Sequence, residues 1–585
     1  MKQTHLYSNK KHLLTVLVED YFHVGAFENL IQQRNWSRFE PRYEQNTLKT
    51  LDLLDEFNTK ATFFVLGWIA DQSPKLIREI VSRGHEVASR GFYHRSLKNL
   101  TSDEFREDLR RTNKALEDAA GQKIIGYRSA EKLNYEKDSW IFDVLAEEGF
   151  FYDASFLPTK ADDKSKRFAH QIHTSGKVIH EFPYSTRNLG IGLLPIAGGN
   201  YFRQIPFTIM RRAVNDWTKR YEEPFVMYFH VWEMDAEQPR INAASAYNRI
   251  RHYRKLDKME WIIKEILQKY EFCDTAEYLG MKTSNSKFQI PDSEAKHTEI
   301  WNLKSEINQN QKTKNQKPVS IVIPCYNEQE TLPYLANTLR TLEAELRKNY
   351  APEFIFVDDR SNDETFDKLN ELFGAKPNVK IIRHDVNQGV AAGIMTGITA
   401  SPNEIVCSMD CDCTYDPHEL VNMLPLLNEN VDLVTASPYH KLGGIRNVPE
   451  WRLFLSKGAS WLYRRTLKAK LSTYTSCFRV YRRSSVVDLP IEEKGFLGVA
   501  EMLGRIDLNG GKIIEYPAVL EVRLFGFSKM KTARTIFGHL KLLSKLSKMR
   551  IFGKNETIET SLAIEESVGA AARPRPMSEA KKRSE

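Results

Sequence analysis

Cysteine is scarce in this chain: there are 6 in 585 residues, at positions 273, 325, 407, 411, 413 and 477. A disulfide-stapled secreted fold is therefore not expected, and reduced thiols in a cytosolic protein are. Cys411 and Cys413 have no second Cys or His pair at ligand spacing, which speaks against a zinc site there. No uninterrupted apolar run reaches about 18 residues, so no membrane-spanning helix is expected. The opening residues, MKQTHLYSNKKH, lack the apolar core of a secretory signal, and none is expected. The formal net charge is +8, yet no aromatic-basic RNA motif or DNA-reading helix pattern accompanies it. Nucleic acid is not the expected partner.

What is present is the pattern of a large soluble protein, with 41% hydrophobic and 27% charged residues. The length calls for two sizeable domains. Strand-helix alternation runs through the first half: apolar runs at 13–18, 61–66, 124–128, 178–182 and 225–229, with helical spacing at 47–57 and 74–83. Around 283–318 the composition turns polar and rich in Asn, Gln, Lys and Ser, which reads as a linker. A second α/β alternation follows, with strands at 319–324, 353–357, 379–383 and 405–409 between helical segments. The expected division is 1–283, a linker at 284–317, a second domain at 318–530, and a basic amphipathic helix with a disordered tail at 531–585.

In the second half three successive strand ends carry polar groups: Tyr326-Asn327-Glu328, Asp358-Asp359 and Asp410-Cys411-Asp412. In open α/β sheets ligands sit at the carboxyl ends of strands. Paired carboxylates there suit a hard divalent cation bridging to phosphates. A nucleotide-sugar site needs such an array, with carboxylates for base, ribose and metal. The stretches SIVIPCYNE, FVDDRSND, NQGVAAGIMTG, MDCDCTYDP and SCFRVYRR, with Glu501-Met502 and Arg523…Gly526-Phe527-Ser528-Lys529, carry a resemblance. Together they resemble inverting glycosyltransferases of family 2, of GT-A (Rossmann-like) fold, and most nearly the polyprenyl-phosphate (dolichyl-phosphate mannose synthase-like) branch. The resemblance implies that Pro324, Tyr326, Asn327, Glu328, Asp359, Asn387 and Cys411 line the nucleotide site. It implies Mg²⁺ or Mn²⁺ at Asp410 and Asp412, with Asp412 catalytic. It also implies that Arg479, Arg523, Ser528 and Lys529 surround an acceptor phosphate. Thr414, Cys477 and Gln388-Gly389-Val390 depart from the branch's usual residues. A sugar-hydroxyl acceptor would need a general base, for which Glu501 is the candidate; its other reading is a helix-terminal acid.

In the first half the notable residues are Glu19-Asp20 after the first strand, His94 in SRGFYH, Arg128 in GYRSAEK, Asp153 in YDASFLP and His230 in YFHVWEMDAEQPRI. Carboxylate and imidazole ligands, a base and a separate acid are what a hydrolytic metal site needs. These residues resemble the polysaccharide deacetylase (NodB-homology) family, carbohydrate esterase family 4, over about residues 12–280. The resemblance implies a distorted (β/α) barrel, Glu19 as base, Asp20 and His94 as metal ligands, His230 as acid and Arg128 at the substrate. Arg90 stands where that family has the first metal histidine. A guanidinium keeps its charge and cannot ligate a cation. Arg90 is expected to pair with Asp20 in the metal's place, which speaks against Zn²⁺ and against ordinary deacetylation. Ala130 and Val231 replace usual prolines.

Residues 531–554 hold seven basic residues and no acid, interleaved with apolar ones, the composition of a helix on an anionic membrane surface. A helix packed on its own domain is the alternative. The expected whole is a two-domain carbohydrate enzyme, cytoplasmic and peripheral on the cytoplasmic membrane face. It moves a sugar from a nucleotide sugar to a polyprenyl phosphate or glycan acceptor. The alternatives are a polysaccharide-extending transferase with an active deacetylase domain, or a first domain that only binds glycan.

Overall fold

The computed structural model describes residues 10–158, 164–174, 176–189, 192–281, 316–526 and 536–551. The chain divides into two compact units, Met1–Leu303 and Lys304–Glu585. Most of the expected linker, the 531–535 stretch, Ser528, Lys529 and the tail beyond 551 lie outside the described residues.

The first unit is built on the strand His12–Val18, whose seven residues are all buried. A strand buried on both faces is the mark of a parallel sheet covered by helices. It pairs in parallel with Val226–His230 on one side and with Thr62–Val65 on the other. The order continues through Glu86–Ser89, Gly126–Tyr127 and Tyr152–Asp153 to Val178–Glu181 and the antiparallel edge strand His170–His173. The path does not close among the described residues, so the barrel is a curled, open sheet of nine strands. Helices such as Ser102–Ala120 cover it. That helix starts in a Thr101–Glu104 capping box and ends at Gly121, whose φ of 66° suits glycine.

Register matters most for function. Leu17 is level with His230, Val18 with Val65, Val65 with Ser89, and Ser89 with Tyr127. Glu19, Arg90, Arg128 and His230 therefore reach the same carboxyl edge of the sheet from four different strands.

The second unit has a seven-stranded sheet in the order Val379–Arg383, Tyr350–Asp358, Lys317–Cys325, Ile405–Ser408, Arg479–Arg482, Leu433–Ser437, Ile513–Pro517. All neighbours are parallel except Arg479–Arg482, which runs antiparallel to both of its own. This is the α/β sheet expected of the second domain. Helix Leu332–Leu346 buries Leu332, Leu335, Leu339, Leu342 and Leu346, the 3–4 spacing of one helical face. Helix Val390–Ala400 comes very close to the sheet, because a Cβ at Gly397 would lie 2.2 Å from Val322. The helical residues 536–551 bury Leu542, Leu543 and Leu546 against their own unit and leave Ile536, Phe537, Leu540 and Ile551 exposed. Part of the apolar face expected on a membrane is thus used for packing.

Candidate functional sites

In the first unit the carboxyl edge holds a cavity of about 410 Å³ lined by, among others, Glu19, Arg90, His94, His230 and the rings of Tyr184, Tyr228 and Trp232. Glu19 is fully buried. The Arg90 Nε–H donates to Glu19 Oε1, and Arg90 Nη1 donates to the Ser129 carbonyl at 2.9 Å. His94 Nε2 lies 3.4 Å and His230 Nδ1 3.6 Å from Glu19 Oε2. Burial opposes ionisation of Glu19, but the Arg90 guanidinium and the two imidazoles hold its carboxyl well below the usual range. His94 has a φ of 49°, a left-handed conformation uncommon outside glycine and concentrated at functional sites.

Two expectations need correction here. Arg90 pairs with Glu19, not with Asp20. Asp20 instead accepts from three backbone amides, Tyr21 at 2.9 Å, Arg42 at 2.6 Å and Tyr43 at 2.9 Å, so it pins the start of helix Tyr43–Glu56 to the strand end. Arg128 is buried too and is not among the residues lining the cavity; it lies over the rings of Tyr184 and Tyr228 at 4.6 and 4.4 Å and donates to Thr15 Oγ1 at 3.2 Å. Nearby, burial and then the charge of Asp153 push the Glu181 carboxyl well above its usual range. The residues behind this site that sequence reasoning missed are Arg203 and Glu233, a fully buried pair at 2.8 Å. Glu233 also accepts from the His230 backbone N–H at 3.0 Å. The W-E of the YFHVWE motif was the signal for that pair.

A divalent cation at this edge needs carboxylate and imidazole lone pairs that are free to face it. One Glu19 oxygen is held by a permanent cation, and both Asp20 oxygens are engaged by amides. These residues do not fit the metal that the resemblance implies.

The second unit assembles its acids differently. After Lys317–Cys325, Tyr350–Asp358 and Ile405–Ser408 the chain turns through Asn327, Arg360 and Cys413, with φ of 52°, 59° and 54°. Three left-handed non-glycine residues at three adjacent strand ends mark a strained, shared edge. The loops are laced together: Asn327 N–H donates to Ser361 Oγ at 2.9 Å and Glu328 N–H to Thr365 Oγ1 at 2.7 Å. Arg523 bridges them, donating from Nη2 to Glu328 and lying 3.6 Å through Nη1 from Asp412 Oδ2. Burial, and then the neighbouring Asp412, push Asp410 up to about 7. Two adjacent carboxylates, one raised by its neighbour's charge, are a donor set that fits a divalent cation, with phosphate and water oxygens completing it.

The other expected residues are distributed around this edge. Asp359 accepts from His384 Nδ1 and from the amides of Gln388 and Gly389, each at 2.7 Å, while Asn387 Nδ2 donates to the Asp359 carbonyl at 3.1 Å. Both residues thus shape the loop beside the site. Pro324 lies against helix Val390–Ala400, where a Cβ at Gly393 would be 3.1 Å away. Cys411 is buried beside Cys325, whose thiol, together with burial, pushes it well above the usual range; its side chain belongs to the core. Arg479 is fully buried, and donates to the carbonyls of Val499 at 2.6 Å and Tyr474 at 2.8 Å, so it braces the fold and does not face a phosphate. Glu501 is fully buried as well. It accepts from Arg505 at 2.9 and 2.8 Å, from Lys545 at 3.0 Å, and from the Glu492 and Glu493 amides at 3.1 and 2.8 Å. The base expected at Glu501 is instead the clamp between helix Phe496–Leu508 and residues 536–551.

Known proteins resemble parts of each unit. A polysaccharide deacetylase family model matches residues 32–139, a domain of unknown function (DUF3473) matches 154–280, and glycosyl transferase family 2 matches 320–489. The chain is 31% identical over 232 residues to a dolichol-phosphate mannosyltransferase of Pyrococcus furiosus, covering 39% of this chain and 64% of that one. It is 30% identical over 217 residues to a polyprenol monophosphomannose synthase of Mycolicibacterium smegmatis, covering 36% of this chain and 80% of that one. The chain thus spans a little under two thirds of the first relative and most of the second. Among solved structures, a putative polysaccharide deacetylase from Mycobacterium smegmatis is similar at 17% identity and TM-score 0.32, covering 50% of this chain and 99% of that one. A CE4 family pseudoenzyme from Bacillus anthracis is similar at 17% identity and TM-score 0.26, covering 47% and 67%.

Proposed function

The chain belongs to glycosyl transferase family 2, and from that premise we propose that its second unit transfers a sugar from a nucleotide-sugar donor to a polyprenyl phosphate. It does so alongside a polysaccharide deacetylase-like first unit. The observation that carries this reading is the convergence of Glu328, Asp410 and Asp412 at adjacent strand ends, with Arg523 reaching across from the end of the fold. The relatives' names supply the acceptor class.

Asp410 and Asp412 would hold Mg²⁺ or Mn²⁺, which when bound neutralises the diphosphate leaving group. The nucleotide lies over Pro324, Tyr326, Asn327 and Glu328, on the platform that Asp359 and Asn387 shape. An acceptor phosphate is already anionic near neutral pH and needs positioning more than deprotonation. Arg523, with Ser528 and Lys529, supplies cations and a hydroxyl for that. A phosphate oxygen bonds to the anomeric carbon as the carbon–oxygen bond to the diphosphate breaks. The nucleoside diphosphate leaves with the electron pair, and the anomeric configuration inverts. The engagement of Glu501 by five donors supports the phosphate acceptor over a sugar hydroxyl, which would need a base.

Attachment to the cytoplasmic face of a membrane fits the same reading. Among the described residues no helix is long and apolar enough to cross a membrane. Phe537 is 76% exposed beside Lys541, and helix Glu450–Thr466 exposes Trp451, Phe454 and Trp461. The Tyr463 hydroxyl meets His539 Nδ1 at 2.8 Å, which joins the two helical segments. Aromatic and basic side chains together are what an anionic lipid surface attracts.

The test is a donor screen with Mn²⁺, run with and without undecaprenyl phosphate, on wild type and Asp412→Ala. Lipid-dependent turnover should fall about 10²–10³-fold in the variant, as when one preorganised charge is removed from an active site. Equal turnover by the two proteins overturns the assignment.

A further inference from the structure

We propose that the cavity of the first unit binds a saccharide without any metal ion, and that the Arg90 guanidinium is the built-in cation of the site. This rests on the deacetylase-like reading of that unit and is independent of the transferase reading.

The cavity keeps the features of a ligand site while its donor set excludes a divalent ion. Glu19 Oε2 and His230 Nδ1 are both buried and make no close hydrogen bond among the described residues, the His94 and His230 imidazoles standing 3.4 and 3.6 Å from the oxygen. A buried carboxylate oxygen without a donor costs free energy unless a ligand supplies one. The two atoms are 3.6 Å apart and both residues line the same 410 Å³ cavity. What they lack is a hydroxyl donor. A sugar hydroxyl supplies that donor, and Tyr184, Tyr228 and Trp232 line the same cavity. Arg90 is fixed at Nε by Glu19 and at Nη1 by the Ser129 carbonyl. Its remaining N–H groups can donate to an acyl or carboxylate oxygen on the same sugar.

The guanidinium also explains why the arrangement is self-consistent. A buried Glu19 needs a counter-charge, and breaking a buried ion pair by removing one partner is strongly destabilising. With Arg90 present the charge is matched at folding. A divalent ion close to that guanidinium would meet direct repulsion at short range and low dielectric. Asp20, which the resemblance would make a metal ligand, is held as a backbone anchor by the amides of Arg42 and Tyr43. Reversal of Arg90 alone therefore leaves a second ligand engaged elsewhere.

Two measurements on the full chain test this. In the first, wild type and His94→Asn are dialysed against Zn²⁺, washed, and analysed for bound zinc. Equal zinc content in the two proteins is expected; loss of one zinc per chain in the variant overturns the proposal. In the second, binding of an N-acetylglucosamine tetramer is titrated by calorimetry. Each unit of that probe offers hydroxyl donors for Glu19 and an amide carbonyl for Arg90. Binding should be unchanged by EDTA and should weaken at least tenfold in both Glu19→Gln and Arg90→Lys, each first shown by circular dichroism to be folded. Should one variant fail to fold, the other carries the comparison, since Arg90→Lys keeps the charge and loses only the fork. Loss of binding in EDTA, no binding by wild type, or full binding by the folded variants each overturns it.

Discussion

Asp412 and Glu501 are both acids in one unit, and their surroundings assign them opposite work. Asp412 sits at a strand end with Arg523 3.6 Å away, a contact loose enough for a ligand to replace. Glu501 is enclosed, with two side chains and two amides on its oxygens. Glu501→Gln would leave the buried Arg505 guanidinium with only the exposed Glu492 carboxylate at 3.3 Å, so unfolding free energy should drop by about 3 kcal/mol. The variant should nonetheless retain turnover within a few-fold when assayed well below its unfolding temperature. A thermal melt combined with kcat at low temperature reads both. A stable but inactive variant would restore Glu501 as a catalytic base. The same contrast marks what could be read from residues alone. Asp410-Cys411-Asp412 was legible because an apolar run ending in acids is a local pattern. The burial of Arg479 and Glu501 was not, because their partners, Val499, Tyr474 and Lys545, lie 5 to 44 positions away and nothing local announces them. Asp20 is a third case: an acid beside Glu19 looks like a ligand until the amides of residues 42 and 43 are seen on it.

At the scale of elements, two glycines in helices of the second unit show how packing decides the sign of a substitution. A Cβ on Gly397, in Val390–Ala400, would meet Val322 at 2.2 Å, whereas Gly458, in the exposed face of Glu450–Thr466, has nothing within 4 Å. Gly397→Ala should therefore destabilise by about 1–3 kcal/mol through overpacking. Gly458→Ala should stabilise by roughly 0.5–1 kcal/mol, because alanine loses less backbone entropy in a helix. Opposite shifts in melting temperature check the pair; shifts of the same sign would mean that the helix does not lie on Val322 as described. The strands and helices themselves were mostly legible, since period-2 and 3.6 patterns are local. The ends were less so: Val390–Ala400 begins only after Gly389, whose φ of 101° makes the turn onto Asp359.

At the scale of the molecule, His12 fastens the start of the first unit's central strand to its neighbour. Its Nδ1 accepts the Phe225 N–H at 3.1 Å, tying the first strand to the entry of the Val226–His230 strand. Burial, and then the charge of Lys10, lower this imidazole to about 4. The unfolded chain takes up the proton near pH 6.5, and the folded chain refuses it until about pH 4. This group therefore costs no stability above pH 6.5, and the cost grows as pH falls, to about 3 kcal/mol at pH 4. Denaturant unfolding between pH 4 and 8 should show that slope in wild type. His12→Gln should flatten it, since an amide oxygen accepts the same N–H and carries no titrating proton. An identical slope in the two proteins would place the acid sensitivity elsewhere.

The contact of Arg523 with Glu328 spans 195 positions. Long-range contacts of this kind close late, after the intervening chain has been ordered. During synthesis the three acid-bearing turns are made first; Asp358 and Asp359 find Arg383 and His384 soon after, while Glu328 and Asp412 wait for Arg523. Arg523, which follows Ile513–Pro517, the last strand of the second unit's main sheet in the chain, thus joins the turns after all their acids are in place. A chain halted before residue 523 would carry every acid of the site but not the guanidinium that joins Glu328 to Asp412.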